Sequence, residues 1–244
     1  MNPLHSGVVM KRFNIPAIFF ASSVLVLAAV VFPSLAQGPE ETGYTDAQGS
    51  PRSPIDNQRV FLLGDSQVAG QFGQAMMNHI TAAGATYFAR AGQVGWGVRN
   101  WYNHRHNINR FMRRHHPTLV LVELGGNDFN RSSRLDYGLE VNQLWSYIQE
   151  QAEANKPAGT TVTYCWIAPA TVVGESAHIQ PGRDRAARII RQTIGSRYYV
   201  ESRDITGTYG RDARGLHFTH GGANDWARRA IPRIEDCVRS QLTR

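Results

Sequence analysis

The feature that most constrains the fold of this chain is an alternation, repeated about five times, between short apolar runs and longer segments with helical spacing. The apolar runs are Val60–Leu63, Thr86–Ala89, Thr118–Leu124, Thr160–Ile167 and Tyr198–Val200. They are short and rich in β-branched, aliphatic or aromatic residues, as buried strands require. Between the first two, Val68, Phe72, Ala75, Met76 and Ile80 recur at helical spacing and stop at Gly84. A second helix is expected over Arg99–His115, with Trp101, Ile108, Phe111 and Met112 on its apolar side and Pro117 ending it. Val141, Leu144, Trp145, Ile148 and Ala152 mark a third, Ala186–Ile194 a fourth, and a last helix begins near Ala223. Pro232 falls inside that last segment and predicts a kink or a break there. Such alternation specifies an α/β fold, a three-layer α/β/α sandwich around a parallel five-stranded sheet. In these folds ligands bind at the carboxyl ends of the strands, so the residues following each strand are the ones to inspect.

The expected domain spans residues 59–244. Before it, residues 37–58 are rich in Gly, Pro, Ser, Asp and Glu and read as a disordered linker. Further upstream, Lys11 and Arg12 precede an apolar stretch from Ile15 to Phe32, followed by Ser34-Leu35-Ala36. A charged segment, an apolar segment and a small-x-small site describe a signal peptide over residues 1–36. The apolar stretch is also about as long as a minimal membrane helix, which leaves an uncleaved N-terminal anchor open. Either way the domain is expected to be exported, periplasmic or secreted, with the membrane touched only through that segment. Export makes a disulfide between Cys165 and Cys237 chemically possible, although two separate buried thiols fit the sequence equally well.

The formal net charge is +7, and the only lysines are Lys11 and Lys156. A basic balance favours acidic partners. Yet no long basic run, zinc-finger, homeodomain or RNA-recognition pattern occurs, so no nucleic-acid partner is expected. His104 with His106, and the pair His115-His116, lack a third ligand at a familiar spacing. They read as the polar face of a helix that also carries Arg99, Arg105, Arg110, Arg113 and Arg114. That face is either simply solvated or able to receive an anionic glycan. There is no P-loop and no complete dinucleotide fingerprint, and neither cofactor nor metal is expected.

The strand ends carry a coherent inventory. Gly64-Asp65-Ser66 follows the first strand, Gly92 and Gly95 the second, and Gly125-Gly126-Asn127-Asp128 the third. His217-Phe218-Thr219-His220 precedes the last helix. Acyl transfer needs a hydroxyl nucleophile beside a base, and histidine is the usual base. It also needs hydrogen-bond donors for the oxyanion. Ser66 at a helix N-terminus supplies a backbone N–H, Gly95 a backbone N–H unobstructed by a side chain, and Asn127 an amide. Each block also has a plainer reading as a turn or cap: Ser66 as a helix cap, Asn127 and Asp128 as turn formers, and His220 as a rim or cap residue.

In these four ordered blocks the chain resembles the SGNH (GDSL-type) hydrolase superfamily, over residues 59 to about 240. The resemblance implies a flavodoxin-like sheet and a serine esterase with Ser66 as nucleophile, His217 as base, and Gly95 and Asn127 in the oxyanion hole. Its substrate would be a carboxylic ester, short-chain or O-acetyl, on an acetylated polysaccharide or cell-wall glycan. The same site in an O-acetyltransferase, and an inactive glycan-binding module, are the alternatives. One block departs from the family, which usually has Asp three residues before the catalytic His; here that position is Arg214. Guanidinium cannot accept the imidazole hydrogen bond. Either Asp212 reaches His217, within roughly 2.6–3.2 Å, through a bulged loop that Gly215 permits, or a backbone carbonyl orients the ring.

Overall fold

In a computed structural model of the chain, the described residues are 52–243. The expected signal peptide and residues 37–51 of the expected linker lie outside them. β1 (Arg59–Gly64) leads into α1 (Ser66–Ala69) and α2 (Gln71–Ala82). β2 (Tyr87–Gly92) is followed by α3 (Val98–Asn103) and α4 (Arg105–His115). β3 (Leu119–Glu123) passes through two short 3-10 turns into α5 (Tyr137–Asn155). β4 (Thr163–Ile167) precedes a 3-10 turn and α6 (Gln180–Ile194). β5 (Tyr199–Val200), α7 (Arg203–Thr206) and α8 (His220–Leu242) complete the domain. The five strands are all parallel, in the order β2-β1-β3-β4-β5. That is the flavodoxin-like order, whose ligand crevice opens at the β1/β3 switch point.

Successive strand residues face opposite sides of a sheet, and both sides here are covered. Val60, Leu62, Leu119, Leu121 and Ile167 pack with Phe72 and Met76 of α2 and Trp226 and Ile234 of α8. Phe61, Leu63, Val120, Val122 and Trp166 pack with Trp101, Ile108, Val141, Leu144 and Ile190 from α3 to α6. This double burial explains why the strands read as unbroken apolar runs rather than as alternating ones. Among the described residues no helix is long and apolar enough to cross a membrane.

Several boundaries differ from expectation. Residues 52–58, assigned above to the linker, belong to the folded domain: Ile55 is fully buried in the core, and Ser53 Oγ donates to Glu235 Oε1 at 2.5 Å. A lone apolar residue among turn formers gave no periodic signal. The helix expected over Arg99–His115 is two helices, parted at His104, whose ring Nδ1 turns back to the Asn100 carbonyl at 2.9 Å. Such local side-chain bonding competes with the helical ladder. α6 begins earlier than expected, at Gln180, with Pro181 in its first turn, where the fixed φ suits a helix start. α8 remains helical through Pro232. Pro232 is exposed, so the carbonyl it strands can be hydrated, while Ala230 and Ile234 beside it hold the helix to the core.

The open question of the cysteines resolves as a disulfide. Cys165 of β4 and Cys237 of α8 are bonded, with Cα atoms 6.4 Å apart across 72 residues of sequence. The bond fastens the last helix to β4, next to the edge strand β5. In the chain-entropy account, closing a loop of that length constrains the unfolded chain by about 4 kcal/mol. Chemical denaturation of Cys237→Ser, or of the reduced protein, should therefore show an unfolding free energy lower by about 2–4 kcal/mol. An unchanged midpoint would mean that the bond does not form in solution.

Candidate active site

The turn after β1 has no room for side chains. A Cβ on Gly64 would collide with Val68 and lie 2.7 Å from the Glu123 carbonyl of β3. Asp65 then caps α1, its Oδ1 accepting from the Gln67 N–H at 2.8 Å. Ser66 is thus the first residue of α1, at the carboxyl edge of the sheet. Two indoles secure the strand ends around it. Trp101 Nε1 donates to the Gly64 carbonyl and Trp166 Nε1 to the Leu124 carbonyl, each at 3.1 Å. Both residues are buried; the Gly64 carbonyl also accepts from the Gln93 N–H at 3.1 Å, so the Trp101 indole adds a second donor there.

His217 arrives from a hairpin. Arg211 and Phe218 form an antiparallel bridge, and Asp212 N–H donates to the His217 carbonyl at 2.8 Å. The tip is closed by Gly215 N–H to the Asp212 carbonyl and by Leu216 N–H to Asp212 Oδ1, both 2.9 Å. Gly215 adopts φ +72°, and a Cβ there would also strike the Val173 carbonyl. In this arrangement His217 Nε2 lies 3.0 Å from Ser66 Oγ, and His217 Nδ1 lies 3.3 Å from Asp212 Oδ2. The second distance falls just beyond the 3.2 Å expected, within what an unliganded site shows. Burial works against the Asp212 charge, but the Leu216 N–H and the His217 ring together hold its carboxyl below the ordinary value. Arg214 sits exposed near the tip of the hairpin. Gln67 and Arg211, neither of which the sequence singled out, donate to the Leu216 carbonyl at 3.1 and 3.2 Å and fix the histidine segment.

Asn127 follows β3 in a 3-10 turn entered through Gly125 at φ +116°. Its Nδ2 donates to the Trp96 carbonyl at 3.0 Å and to Asp65 Oδ2 at 3.3 Å, joining the ends of β1, β2 and β3. Gly95 lies in the adjoining loop, exposed, with φ +76°. A Cβ there would meet nothing within 4 Å. The left-handed backbone by itself favours a glycine at this position. Asp128, read from the sequence as a possible turn former, reaches across to α3, where both carboxylate oxygens accept from Val98 N–H at 3.2 Å. His220 is the exposed first residue of α8, its ring 3.2 Å from Gln71 Oε1, while Thr219 provides the cap. Among the described residues no cluster of His, Cys, Asp or Glu could hold a metal.

Beneath the site lie three charged side chains, Asp65 of the first block and Glu123 and Arg183, which sequence reading missed; each is no more than 2% exposed. Burial first, and then the Asp65 charge, push the Glu123 carboxyl well above its usual range. Burial also raises Asp65, against the pull of the Gln67 N–H and the Arg183 guanidinium. Burial lowers Arg183, although both carboxylates oppose this. The Arg183 guanidinium lies against Gly126, where a Cβ would strike it. Only their positions, at a strand end and in the first turns of a helix, hinted at these residues.

No protein-family model and no curated protein matches the sequence. Solved structures do match its fold. An acetyl xylan esterase from Geobacillus stearothermophilus aligns with TM-score 0.54 and 16% identity, over 72% of this chain and 95% of the other. A family 3 carbohydrate esterase from Clostridium thermocellum gives 0.53 and 19%, over 75% and 97%. A carbohydrate acetylesterase from Sinorhizobium meliloti gives 0.56 and 14%, over 72% and 98%. The chain has the three-layer fold of these hydrolases, as the SGNH-type blocks in its sequence imply.

Asp128 offers a test of the site's electrostatics. Burial, reinforced by the Asp65 charge and opposed by the Val98 N–H, raises its pKa from 3.8 to about 6. The folded state holds this proton more tightly than the unfolded chain. The associated stability is therefore full below about pH 4 and is lost as pH rises through about 6. Asp128→Asn keeps an oxygen for Val98 but cannot ionise. Denaturation from pH 4 to 7 should show the wild type losing roughly 2–3 kcal/mol relative to this variant; parallel pH profiles would contradict the assignment.

Proposed function

We propose that this protein is an exported serine esterase that cleaves short-chain or O-acetyl carboxylic esters through an acyl-Ser66 intermediate. The observation that carries the proposal is the continuous chain Ser66 Oγ, His217 Nε2, His217 Nδ1 and Asp212 Oδ2, with steps of 3.0 and 3.3 Å. A serine hydroxyl at neutral pH is a poor nucleophile until a neighbouring base can take its proton. In the proposed reaction Ser66 Oγ attacks the ester carbonyl while His217 Nε2 accepts the hydroxyl proton. Asp212 holds the Nδ1 proton and stabilises the imidazolium. The backbone N–H groups of Ser66 and Gly95 receive the oxyanion, and the Asn127 amide joins them by exchanging its longer bond, 3.3 Å to Asp65 Oδ2, for the oxyanion. Collapse expels the alcohol, which takes the proton from His217. Water then adds to the acyl-enzyme with His217 again as base, releasing the carboxylic acid and restoring Ser66.

The esterases of like fold support ester cleavage, and three of them are described as acting on carbohydrate or acetyl xylan esters. An acetylated polysaccharide is accordingly the proposed substrate. The position of Asp212 favours a working site over an inert glycan-binding module, because the acceptor that Arg214 cannot supply is provided from elsewhere. Export is proposed from the N-terminal leader pattern. The Cys165–Cys237 bond supports it, since such bonds persist in oxidising compartments.

Ser66→Ala should abolish hydrolysis of an aryl acetate while leaving the fold intact, because Asp65 rather than Ser66 caps α1. Asn127→Ala should lower kcat by about 10²–10³ with little change in KM, as for loss of one oxyanion donor. Asp212→Asn should cost at least about a hundredfold in kcat. Near-wild-type turnover in that variant, beside an inactive His217→Ala, would reduce the triad to a dyad.

A further inference from the structure

Outside the candidate site, the outer face of α3 and α4 is the most one-sided surface in charge. No Asp or Glu occurs between Asp65 and Glu123, while Arg99, Arg105, Arg110, Arg113 and Arg114 all fall in that interval. All five are exposed, and none forms an ion pair among the described residues. On other faces Arg131, Arg203, Arg233 and Arg239 do find carboxylates.

Helix stability does not explain this placement. The dipole of α4 favours Arg113 and Arg114 in its last turn. It disfavours Arg105 at the start of the same helix, as the dipole of α3 disfavours Arg99, and neither first turn contains an acid. Arg110, Arg113 and Arg114 stand at i, i+3 and i+4, where like charges repel one another. A bound polyanion would relieve every one of these contacts.

The face is also joined to the candidate site. The loop entering α3 carries Trp96, whose carbonyl accepts from Asn127. The ring of Trp96 lies 4.6 Å from that of His104, at the start of α4. At the other end His115 Nδ1 is 2.6 Å from the Tyr87 hydroxyl, at the first residue of β2. α4 therefore runs from the site edge of the sheet to the opposite edge. Along it His106, Asn109, Arg110, Arg113 and Arg114 line an open groove of about 460 Å³. Partly exposed Trp96 and Tyr102 lie at the end nearer the site, and the Arg105 guanidinium sits over the Tyr102 ring, 4.9 Å from its centroid.

We propose that the α3–α4 face binds an anionic polysaccharide, so that the ester delivered to Ser66 is an O-acyl group carried on a uronate-type glycan. This rests on the esterase reading and narrows its substrate. Duplex nucleic acid matches the charge but carries no O-acyl ester. An anionic membrane surface would call for apolar side chains to insert, and none of the large exposed apolar residues, Val94, Leu135, Leu139 and Leu242, belongs to α3 or α4.

The test compares O-acetylated polygalacturonate with neutral O-acetylated glucomannan of matched acetyl content, with p-nitrophenyl acetate as the small ester. For the wild type, kcat/KM on the polygalacturonate should exceed that on glucomannan by about tenfold or more at low salt. The advantage should vanish near roughly 0.5 M NaCl, where exposed charges are screened. R110E/R113E/R114E should bring the two polymers level by raising KM on the anionic one. Calorimetry of Ser66→Ala with non-acetylated polygalacturonate should show salt-sensitive binding without chemistry. Equal kcat/KM on the two polymers in the wild type would overturn the proposal, whether or not the triple variant folds. So would tighter calorimetric binding of duplex DNA, or of phosphatidylglycerol vesicles, than of polygalacturonate. Absence of p-nitrophenyl acetate hydrolysis, with salt-sensitive polygalacturonate binding retained, would instead overturn the esterase reading and leave the binding face standing.

Discussion

The Asn127 amide is the point at which three strand ends become one site. Its two hydrogen bonds, to the Trp96 carbonyl and to Asp65 Oδ2, join the loop after β2 and the turn after β1 to the turn after β3. A parallel sheet delivers its strand ends to one edge but does not fix the loops that leave them. Here the loops are fixed by donors reaching inward. Trp101 and Trp166 bind the carbonyls just before the turns, and Asp128 holds the N-terminus of α3. The glycines at 64 and 126 let the turns lie against β3 and Arg183. Ser66 thereby has a position before any substrate arrives, which is what an arrangement of oxyanion donors requires.

Charge beneath the site follows from the same packing. Asp65 is needed as the cap of α1, and its burial would be costly without compensation. Arg183 supplies opposite charge from α6, and Glu123, at the end of β3, is pushed towards its neutral form by burial and by Asp65. The cluster thus tends towards a single carboxylate facing a single guanidinium. The two charges act on each other through the low-dielectric interior without a direct ion pair, each easing the burial of the other. Arg183 thereby places positive charge from α6 against the Gly126 turn, beside Asp65.

The elements easiest to read from the sequence were those whose signal is local. The continuous apolar runs in β1, β3 and β4, and the helical spacing in α2 and α5, follow directly from burial on one or both sides. Gly-Asp-Ser, Gly-Gly-Asn-Asp and the His217 segment stood out because catalytic chemistry needs rare combinations at strand ends. What escaped were features decided between distant segments. Ile55 packs into the core from a stretch of turn formers, and Glu123 and Arg183, 60 residues apart, are both buried where each feels the other's charge. Gly95 was singled out as an N–H unobstructed by a side chain, and the sequence said nothing of its left-handed backbone. Its positive φ is a conformational fact that no side-chain pattern announces.

The histidine block shows how a departure in spacing can leave geometry intact. With Arg211 bridged to Phe218 in antiparallel fashion, Asp212 and His217 stand directly opposite each other in the hairpin. Opposed residues project to the same face, so two side chains five apart in sequence become immediate neighbours. Four residues, Ala213 to Leu216, make the reversal between them, and Arg214 is left in solvent near its tip. Gly215 makes the reversal possible by taking a backbone conformation that a β-carbon would strain, in a space the Val173 carbonyl already fills. The Asp212 carboxylate is then divided between two tasks. Oδ1 closes the turn through Leu216 N–H, and Oδ2 faces His217. The oxygen that closes the turn and the oxygen that faces the imidazole share one carboxylate, so the hairpin's closure and the acceptor for the ring are linked through one side chain. A turn of this length thus sets a carboxylate across from His217 although Arg214 stands three residues before it.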